Sequence, residues 1–495
     1  MPGILDLQSD KFYINVLNTG SNSITLHANQ QLGTCASYDD LLVDESIRAA
    51  SLIGDTYTSP GTDTVPPHLQ DLLERSSEHL NNDQISALQN LLVKYSNVFS
   101  ESSEDIGRTN LTKHKINTGT ALPIRQPCRR LPSGKRDIEK ERLNKMIDRG
   151  IIEPSSSPWA SNIVLVLKKD GKTRFCVDYR QLNDVTIKDA YPLPRVDECL
   201  DSLSNSKWFS SMDFNSGFWQ IAMAPEDKEK TAFNTSLGLY QVSVMPFGLA
   251  NSPSTFERLM ENILRGLQWQ ESLVYMDDII VPGQSFSESL ERLEHIFQRL
   301  SSANLKLKLP KCTLFQKEIK FLGHIVSESG ISTDPDKISA IADWPVPRSV
   351  KEMRSFLGLC SYYRRFVKEF AKIARPLHAL CEKNSKFLWS ADCQTSFDQL
   401  KQNLTESPIL SYPLPDMSFI LDTDASDKAV GSVLSQVQDG SEKVIAYTSK
   451  AMKKHEQQYC VTRKELLAVV KALKAFHSYL YGQKVLLSTD NASII

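Results

Sequence analysis

The sequence predicts an α+β protein divided into several domains, and three observations predict it. At 495 residues the chain exceeds the roughly 250–300 residues at which a single hydrophobic core stops growing. Short apolar runs such as Ile163–Leu167 and Leu273–Val281 read as strands, and they alternate with stretches of helical periodicity such as Ser133–Asp148. From Ser418 the pattern changes to period-two alternation followed by one long helix, which marks a separate unit.

Composition narrows the function classes. The apolar runs fall far short of the ~18 residues a membrane helix needs, and the first thirty residues hold no signal-peptide core. No membrane partner is expected, and the setting expected is intracellular and cytoplasmic. Nine cysteines stand singly, with no C-x-x-C pair and no histidine at zinc-ligand spacing. Free, mostly buried thiols are therefore expected rather than a zinc site or a disulfide framework. The net charge of -2 hides an asymmetry: residues 1–112 carry 15 acids and 5 bases, and residues 113–149 carry 11 bases against 4 acids. Such a basic stretch fits a phosphate backbone.

Taken in order, residues 1–45 alternate at Phe12-x-Ile14-x-Val16 and Ile24-x-Leu26 around Asn18-Thr19-Gly20-Ser21-Asn22, which reads as a β-hairpin. Residues 46–65, with Ser59-Pro60-Gly61, are a linker by composition. Between 66 and 112, Leu69, Leu72, Leu73 and then Ile85, Leu88, Leu91 and Leu92 predict two short amphipathic helices. Ser133–Asp148 is a charged helix with Ile138, Leu143, Met146 and Ile147 on one face and Gly150 closing it. Ile163–Leu167 predicts a buried strand, Lys168-Lys169-Asp170-Gly171 a turn, and Thr173–Arg180 the returning strand. A flap tipped with Lys168, Lys169 and Arg174 would reach triphosphate oxygens.

Further along, Leu305–Leu309 and Ile319–Val326 read as strands. Asp334-Pro335 and the box Ser349-Val350-Lys351-Glu352 start two helices. The second runs into Tyr362-Tyr363-Arg364-Arg365-Phe366, whose doubled arginines suggest a grip on a duplex. After Ser418 the order is strand, strand, strand, a helix over 462–480, and the strand Val485–Ser488.

The chemistry centres on Tyr275-Met276-Asp277-Asp278, two adjacent carboxylates at the tip of an apolar hairpin. Burying such a pair without counter-charge costs several kcal/mol and drives protons onto it, so it implies cations. Magnesium suits hard oxygen ligands. Asp213, at the end of the apolar run Trp208–Asp213, supplies a third carboxylate. Two metals about 3.5–4 Å apart would activate a primer hydroxyl and stabilise a leaving pyrophosphate.

In this context the chain resembles the reverse transcriptases of gypsy-type LTR retrotransposons, from about residue 66 to its last. The resemblance is carried, in order, by Val177-Asp178-Tyr179-Arg180 with Leu182-Asn183, by Phe214-Asn215-Ser216-Gly217-Phe218 after Asp213, by Met245–Pro253, by the acidic hairpin, by Phe321-Leu322-Gly323-His324, and by Tyr362–Phe366. It implies a right-hand polymerase with fingers and palm over 113–330, a thumb and tether over 331–410, and a truncated RNase H-like α/β domain over 411–495. It makes residues 1–45 the strand-rich stretch that follows a protease. It implies two Mg²⁺ on Asp213, Asp277 and Asp278, with RNA and DNA template-primer and dNTPs as partners, in a particle if the element is active. Lys168 or Lys169 would neutralise the phosphates together with Arg174, beside Ser216, Gly217, Phe218, Phe247 and Gly248. Phe218 would exclude a ribose 2′-hydroxyl by contact, and Phe247 stands where many retroviral relatives have Gln. Phe321, Leu322 and Gly323 would form the primer grip, with His324 structural.

Asp424, Glu465 and Asp490 match three acids of the family's RNase H metal centre, although Thr462-Arg463-Lys464-Glu465 also reads as a helix-capping box. The family's fourth acid lies beyond Asp490, so feeble or absent RNase H activity is expected of this fragment. A non-catalytic, nucleic-acid-binding remnant is the alternative to a polymerase, and the intact triad argues against it.

Overall fold

A computed structural model shows four antiparallel strands in the order Thr313–Gln316, Trp208–Asp213, Asp278–Gly283, Leu273–Tyr275. This is the palm sheet, and its alternation explains its placement. Met212, Ile279 and Val281 enter one hydrophobic core, whereas Phe209, Leu273 and Ile280 enter another on the opposite face. Burying each such side chain stabilises by about 1.5–3 kcal/mol, so the sheet is clamped from both sides. Its carboxylates are left to its end.

The described residues are 64–130, 132–167, 171, 173–383 and 385–489. The chain divides into two compact units, Met1–Thr58 and Ser59–Ile495, and every described residue belongs to the second. The hairpin expected within 1–45, nearly all of the linker, and Lys168, Lys169 and Asp490 lie outside the described residues.

The two expected N-terminal helices form at Gln70–Ser76 and Asn82–Lys94, the second closed by a full capping box between Asn81 and Gln84. Their leucines join the first palm core, together with Leu293, Ile296, Phe297 and Leu300 of the helix Phe286–Ser302. Arg75 reaches across to donate to the carbonyls of Cys312 and Leu309, 2.8 and 3.1 Å away.

The fingers carry a five-stranded sheet in the order Ile152–Pro154, Gly238–Val242, Phe233–Thr235, Ser161–Leu167, Thr173–Asp178. The strand expected to be buried at Ile163–Leu167 is only half so, with Val164, Val166 and Leu167 exposed at 37, 46 and 71%. The reason is register: Phe233–Thr235 pairs with Ser161 and Asn162 alone, so beyond them the hairpin is a free two-stranded ribbon. The fingers helix spans Arg136–Asp148, after a 3₁₀ turn over Ser133–Lys135. Gly150, at φ +63, closes it by donating to the Ile147 carbonyl. Ile147 itself is exposed, contrary to expectation, because the inward face is built from Leu143 and the wholly buried Glu139. Glu139 is stabilised there by the Ser236 backbone N–H and hydroxyl, both of which donate to it.

Two further expectations are corrected. Leu305–Leu309 is no strand: Leu307 makes isolated bridges to Phe99 and Phe214, and the 3₁₀ turn Leu309–Lys311, with Pro310 lacking an N–H, ends any ladder. Ile319–Val326 is two strands, Glu318–Phe321 and His324–Ser327, folded at Leu322-Gly323, both with positive φ. The thumb helices Pro335–Ala342 and Val350–Tyr362 start at the Asp334 and Ser349 caps as expected. The Ser349 box is only half formed, since Glu352 accepts from the Arg348 N–H instead.

The C-terminal part is a four-stranded sheet in the order Ser441–Ala451, Ala429–Gln438, Phe419–Ala425, Val485–Ser488, the last pair parallel. The long helix spans Val461–Ala475, and a separate turn, His477–Leu480, replaces the remainder of the 462–480 expectation. Its N-cap is Cys460 without a side-chain cap bond, so the Thr462–Glu465 box does not form. Of the eight described cysteines, all free, only Cys199, Cys312, Cys360 and Cys393 are buried, fewer than expected. Among the described residues no helix is long and apolar enough to cross a membrane.

Candidate active site

Asp213 and Asp278 face each other at the end of the palm sheet as directly opposed residues of neighbouring antiparallel strands. In that register their side chains leave the same face with Cβ atoms about 4.5–5.5 Å apart. Asp277 sits in the two-residue connection between Tyr275 and Asp278, which pair with each other. The early acid thus stands opposite Asp278, and the charge of Asp277 acts on both. Burial raises the proton affinity of Asp213, and Lys311, whose ammonium engages its Oδ2, opposes that rise. Burial pushes Asp278 up to about 6, and the charges of Asp277 and Asp213 add to the effect. Lys311 is pulled down by its own burial but raised on balance by Asp213, Asp277 and Asp278.

These are the marks of negative charge gathered without enough counter-charge. The donor set is all carboxylate oxygen, which fits a hard divalent ion. Among the described residues no group of three or more His, Cys, Asp or Glu is arranged to hold a metal ion, the acids of the palm included. Lys311, on the turn braced by Arg75, supplies the positive charge at Asp213 instead. Sequence reasoning missed Lys311, since nothing sets it apart from Lys306 and Lys308 before the turn is folded. It also missed Glu257. Glu257 is fully buried on the helix Ser252–Ile263 and accepts the Met276 N–H at 2.7 Å; its neighbours Phe256, Leu259 and Met260 were a usable signal.

Beside the acids lies an aromatic floor. Phe218 stacks on Phe247 with ring centroids 5.2 Å apart and planes 28° apart, and rests on Phe256 at 5.6 Å. A Cβ at Gly217 would come within 3.0 Å of the Phe256 ring, so the chain passes this ring only as glycine. Ser216 precedes it in the left-handed region, φ +56. Gly248, at φ +95, is held by Asn183, whose amide donates to its carbonyl at 2.8 Å. The Asn183 Oδ1 in turn accepts the Ala250 N–H. The Arg174 guanidinium lies 5.5 Å from the Phe247 ring centre, so the flap's basic residue does reach this floor.

The turn Leu322-Gly323 is seated by the thumb: the Tyr362 and Tyr363 hydroxyls donate to the Leu322 and Gly323 carbonyls. His324 is buried, stacks on Phe366 and bonds the Leu322 carbonyl through Nδ1 at 2.9 Å. Arg365 does not extend toward a duplex as expected. It is turned inward to Asp197 and Asp201, and Tyr479 of the C-terminal part donates to Asp201.

Residues 166–326 match the family model "Reverse transcriptase (RNA-dependent DNA polymerase)", and 389–487 match "RNase H-like domain found in reverse transcriptase". The Pol polyprotein from Drosophila melanogaster transposon 297 is 40% identical over 420 residues, covering 84% of this chain and 39% of that one. That from Drosophila transposon gypsy is 33% identical over 411 residues, covering 79% and 39%. The chain belongs to the reverse transcriptase family of gypsy-type retrotransposon Pol polyproteins. It spans about two fifths of the length of these curated relatives.

Among solved structures, this reverse transcriptase relative is similar to a foamy viral protease-reverse transcriptase in complex with double-stranded DNA. The TM-score is 0.78 at 25% identity, covering 88% of this chain and 77% of that one. At the family's second site, Asp424 stands exposed on the strand Phe419–Ala425 and Glu465 is buried on the adjacent helix. Asp490 lies outside the described residues.

Proposed function

We propose that this chain extends a primer on an RNA or DNA template with dNTPs, as an RNA-directed DNA polymerase. The observation that carries the reading is the direct opposition of Asp278 to Asp213 with Asp277 in the turn beside them. Asp213, Asp277 and Asp278 would hold two Mg²⁺, which supply Lewis-acid activation of the primer hydroxyl and charge stabilisation at the leaving phosphate. The chain's own residues do the rest. Phe218 and Phe247 form the floor for the sugar, Gly248 lets the backbone approach it, and Arg174 neutralises phosphate charge with Lys168 or Lys169. Phe321, Leu322 and Gly323, seated by Tyr362 and Tyr363, support the primer strand. Template and primer are held through phosphates and duplex shape, because a copying enzyme cannot depend on sequence. We place this work inside the cell, and the domain division at 113–330, 331–410 and 411–495 belongs to the same proposal.

The test is dNTP incorporation on a primed RNA template with Mg²⁺ present. Incorporation is expected from the wild-type chain and none from Asp277→Asn; equal failure of both would favour a nucleic-acid-binding remnant. Sugar selection is tested separately. Phe218→Val removes the ring that stacks on Phe247, and it is expected to raise NTP use relative to dNTP by ten-fold or more. Unchanged discrimination would assign the 2′-hydroxyl check elsewhere.

A further inference from the structure

The helix Ser252–Ile263 turns Phe256, Leu259, Met260 and Ile263 into the palm core, and among them is an acid, Glu257, with no solvent exposure. A carboxylate in such a place is expensive unless it is bonded. Its Oε1 has no hydrogen-bond partner among the described residues, and its Oε2 accepts one bond, from the Met276 backbone N–H at 2.7 Å. Packing alone does not account for this residue, because a leucine or methionine would fill the same space without the desolvation.

The other end of that bond is strained. Met276 is the first residue of the two-residue connection between Tyr275 and Asp278, and its φ is +55. A hairpin with positive φ at that position ordinarily uses glycine, which has no Cβ to clash. For an L-residue with a side chain the left-handed region is costly and persists only where the surroundings enforce it. The residue that follows is Asp277, and the strand begins at Asp278. The conformation of Met276 therefore decides where both carboxylates stand relative to Asp213.

We propose that Glu257 is a positioning residue for the polymerase reaction: its buried carboxylate holds the Met276 N–H and so fixes the left-handed turn that presents Asp277 and Asp278. The inference rests on the polymerase reading of that turn. It separates Glu257 from a packing residue by one property, which is that its importance depends on the strain at Met276.

The experiment is a cycle on the full chain, measuring kcat and KM for dNTP on primed RNA. Glu257→Gln keeps the acceptor and is expected to stay within threefold of wild type. Glu257→Leu is expected to lose at least tenfold in kcat, with KM for dNTP and affinity for template-primer within twofold. In a Met276→Gly background, where the turn needs no enforcement, the same Glu257→Leu change is expected to cost less than a third as much. The proposal is overturned if Glu257→Leu keeps kcat within threefold, if Glu257→Gln loses as much as Glu257→Leu, or if the loss is the same with Gly at 276. Should Glu257→Leu fail to fold, Glu257→Asp, one methylene too short to reach the N–H, carries the same comparison. A wild-type chain that incorporates nothing sinks the polymerase reading and this inference together, whereas an active wild type indifferent to residue 257 sinks the inference alone.

Discussion

Asp278→Asn is expected to abolish nucleotide incorporation while making the metal-free protein more stable. The two effects share one cause. The Asp278 carboxyl titrates at about 6 rather than 3.8, because burial disfavours its charge and Asp277 and Asp213 repel it. A group whose proton affinity is raised on folding contributes stability that is fully present below its unfolded pKa and lost as pH rises through its folded one. For Asp278 that window runs from about pH 4 to 6, so at pH 7.5 the ionised side chain is a liability to the fold. Replacement by the isosteric amide removes the charge. After allowance for solvent at a half-buried site the expected gain is about 1–2 kcal/mol, a rise of a few degrees in Tm. Removing a charged ligand from a two-metal centre is expected to cost at least about 10³-fold in rate, roughly 4 kcal/mol of transition-state stabilisation. Magnesium should then stabilise the wild type by mass action and leave Asp278→Asn unmoved, which closes the gap between them. Thermal melts with and without Mg²⁺, beside a primer-extension assay, read all three outcomes. A variant that still copies RNA, or one that melts lower than wild type in the absence of metal, would break the link between charge accumulation and function.

What could be read in advance was whatever depends on short-range pattern. The run Leu273–Val281 shows its strands, its turn and its acids in nine residues, and Asp213 is visible because it ends an apolar strand of the same kind. The caps at Asn81, Asp334 and Ser349 are likewise local chemistry. What could not be read depends on partners far away in sequence. Val164, Val166 and Leu167 look like a buried strand until the ladder to Phe233–Thr235 is seen to end after Asn162. Arg365 looks like a duplex contact until Asp197 and Asp201 close around it from a segment more than 150 residues earlier. Lys311 has no sequence signature, because its role exists only once the Leu309–Cys312 turn, braced by Arg75, lies beside Asp213. Leu322-Gly323 shows the other limit: a two-residue turn is too short to interrupt an apolar run, and its only trace is a one-residue slip in the alternation, from Ile319 and Phe321 to His324 and Val326.

His324→Phe is expected to tilt the pH dependence of stability toward acid, and the size of the tilt follows from opposed titrations. His114 and His324 are both buried and both titrate at about 4 rather than 6.5, with burial the largest cause; Arg365 adds to the lowering at His324, while Asp227 opposes it at His114. Neither Nε2 has a hydrogen-bond partner among the described residues to welcome a proton. A group depressed on folding contributes stability that is present above its unfolded pKa and lost as pH falls toward its folded one. Each histidine therefore costs about 1.4 kcal/mol per pH unit between roughly pH 6.5 and 4. Over the same interval Glu257, pushed by burial up to about 7, and Asp278, up to about 6, shift the balance the other way as they gain protons. The wild type should consequently show a shallow dependence down to about pH 4.5, two pairs of buried groups offsetting each other. Phenylalanine at 324 keeps a ring against Phe366 and removes one titration from the destabilising pair. Relative to wild type the variant should gain about 2–3 kcal/mol between pH 7 and 4.5, whatever its stability at neutral pH. Urea unfolding at the two pH values measures that difference directly, and a gap between the two proteins that stays constant with pH would show that the imidazole of His324 is not held neutral by the fold.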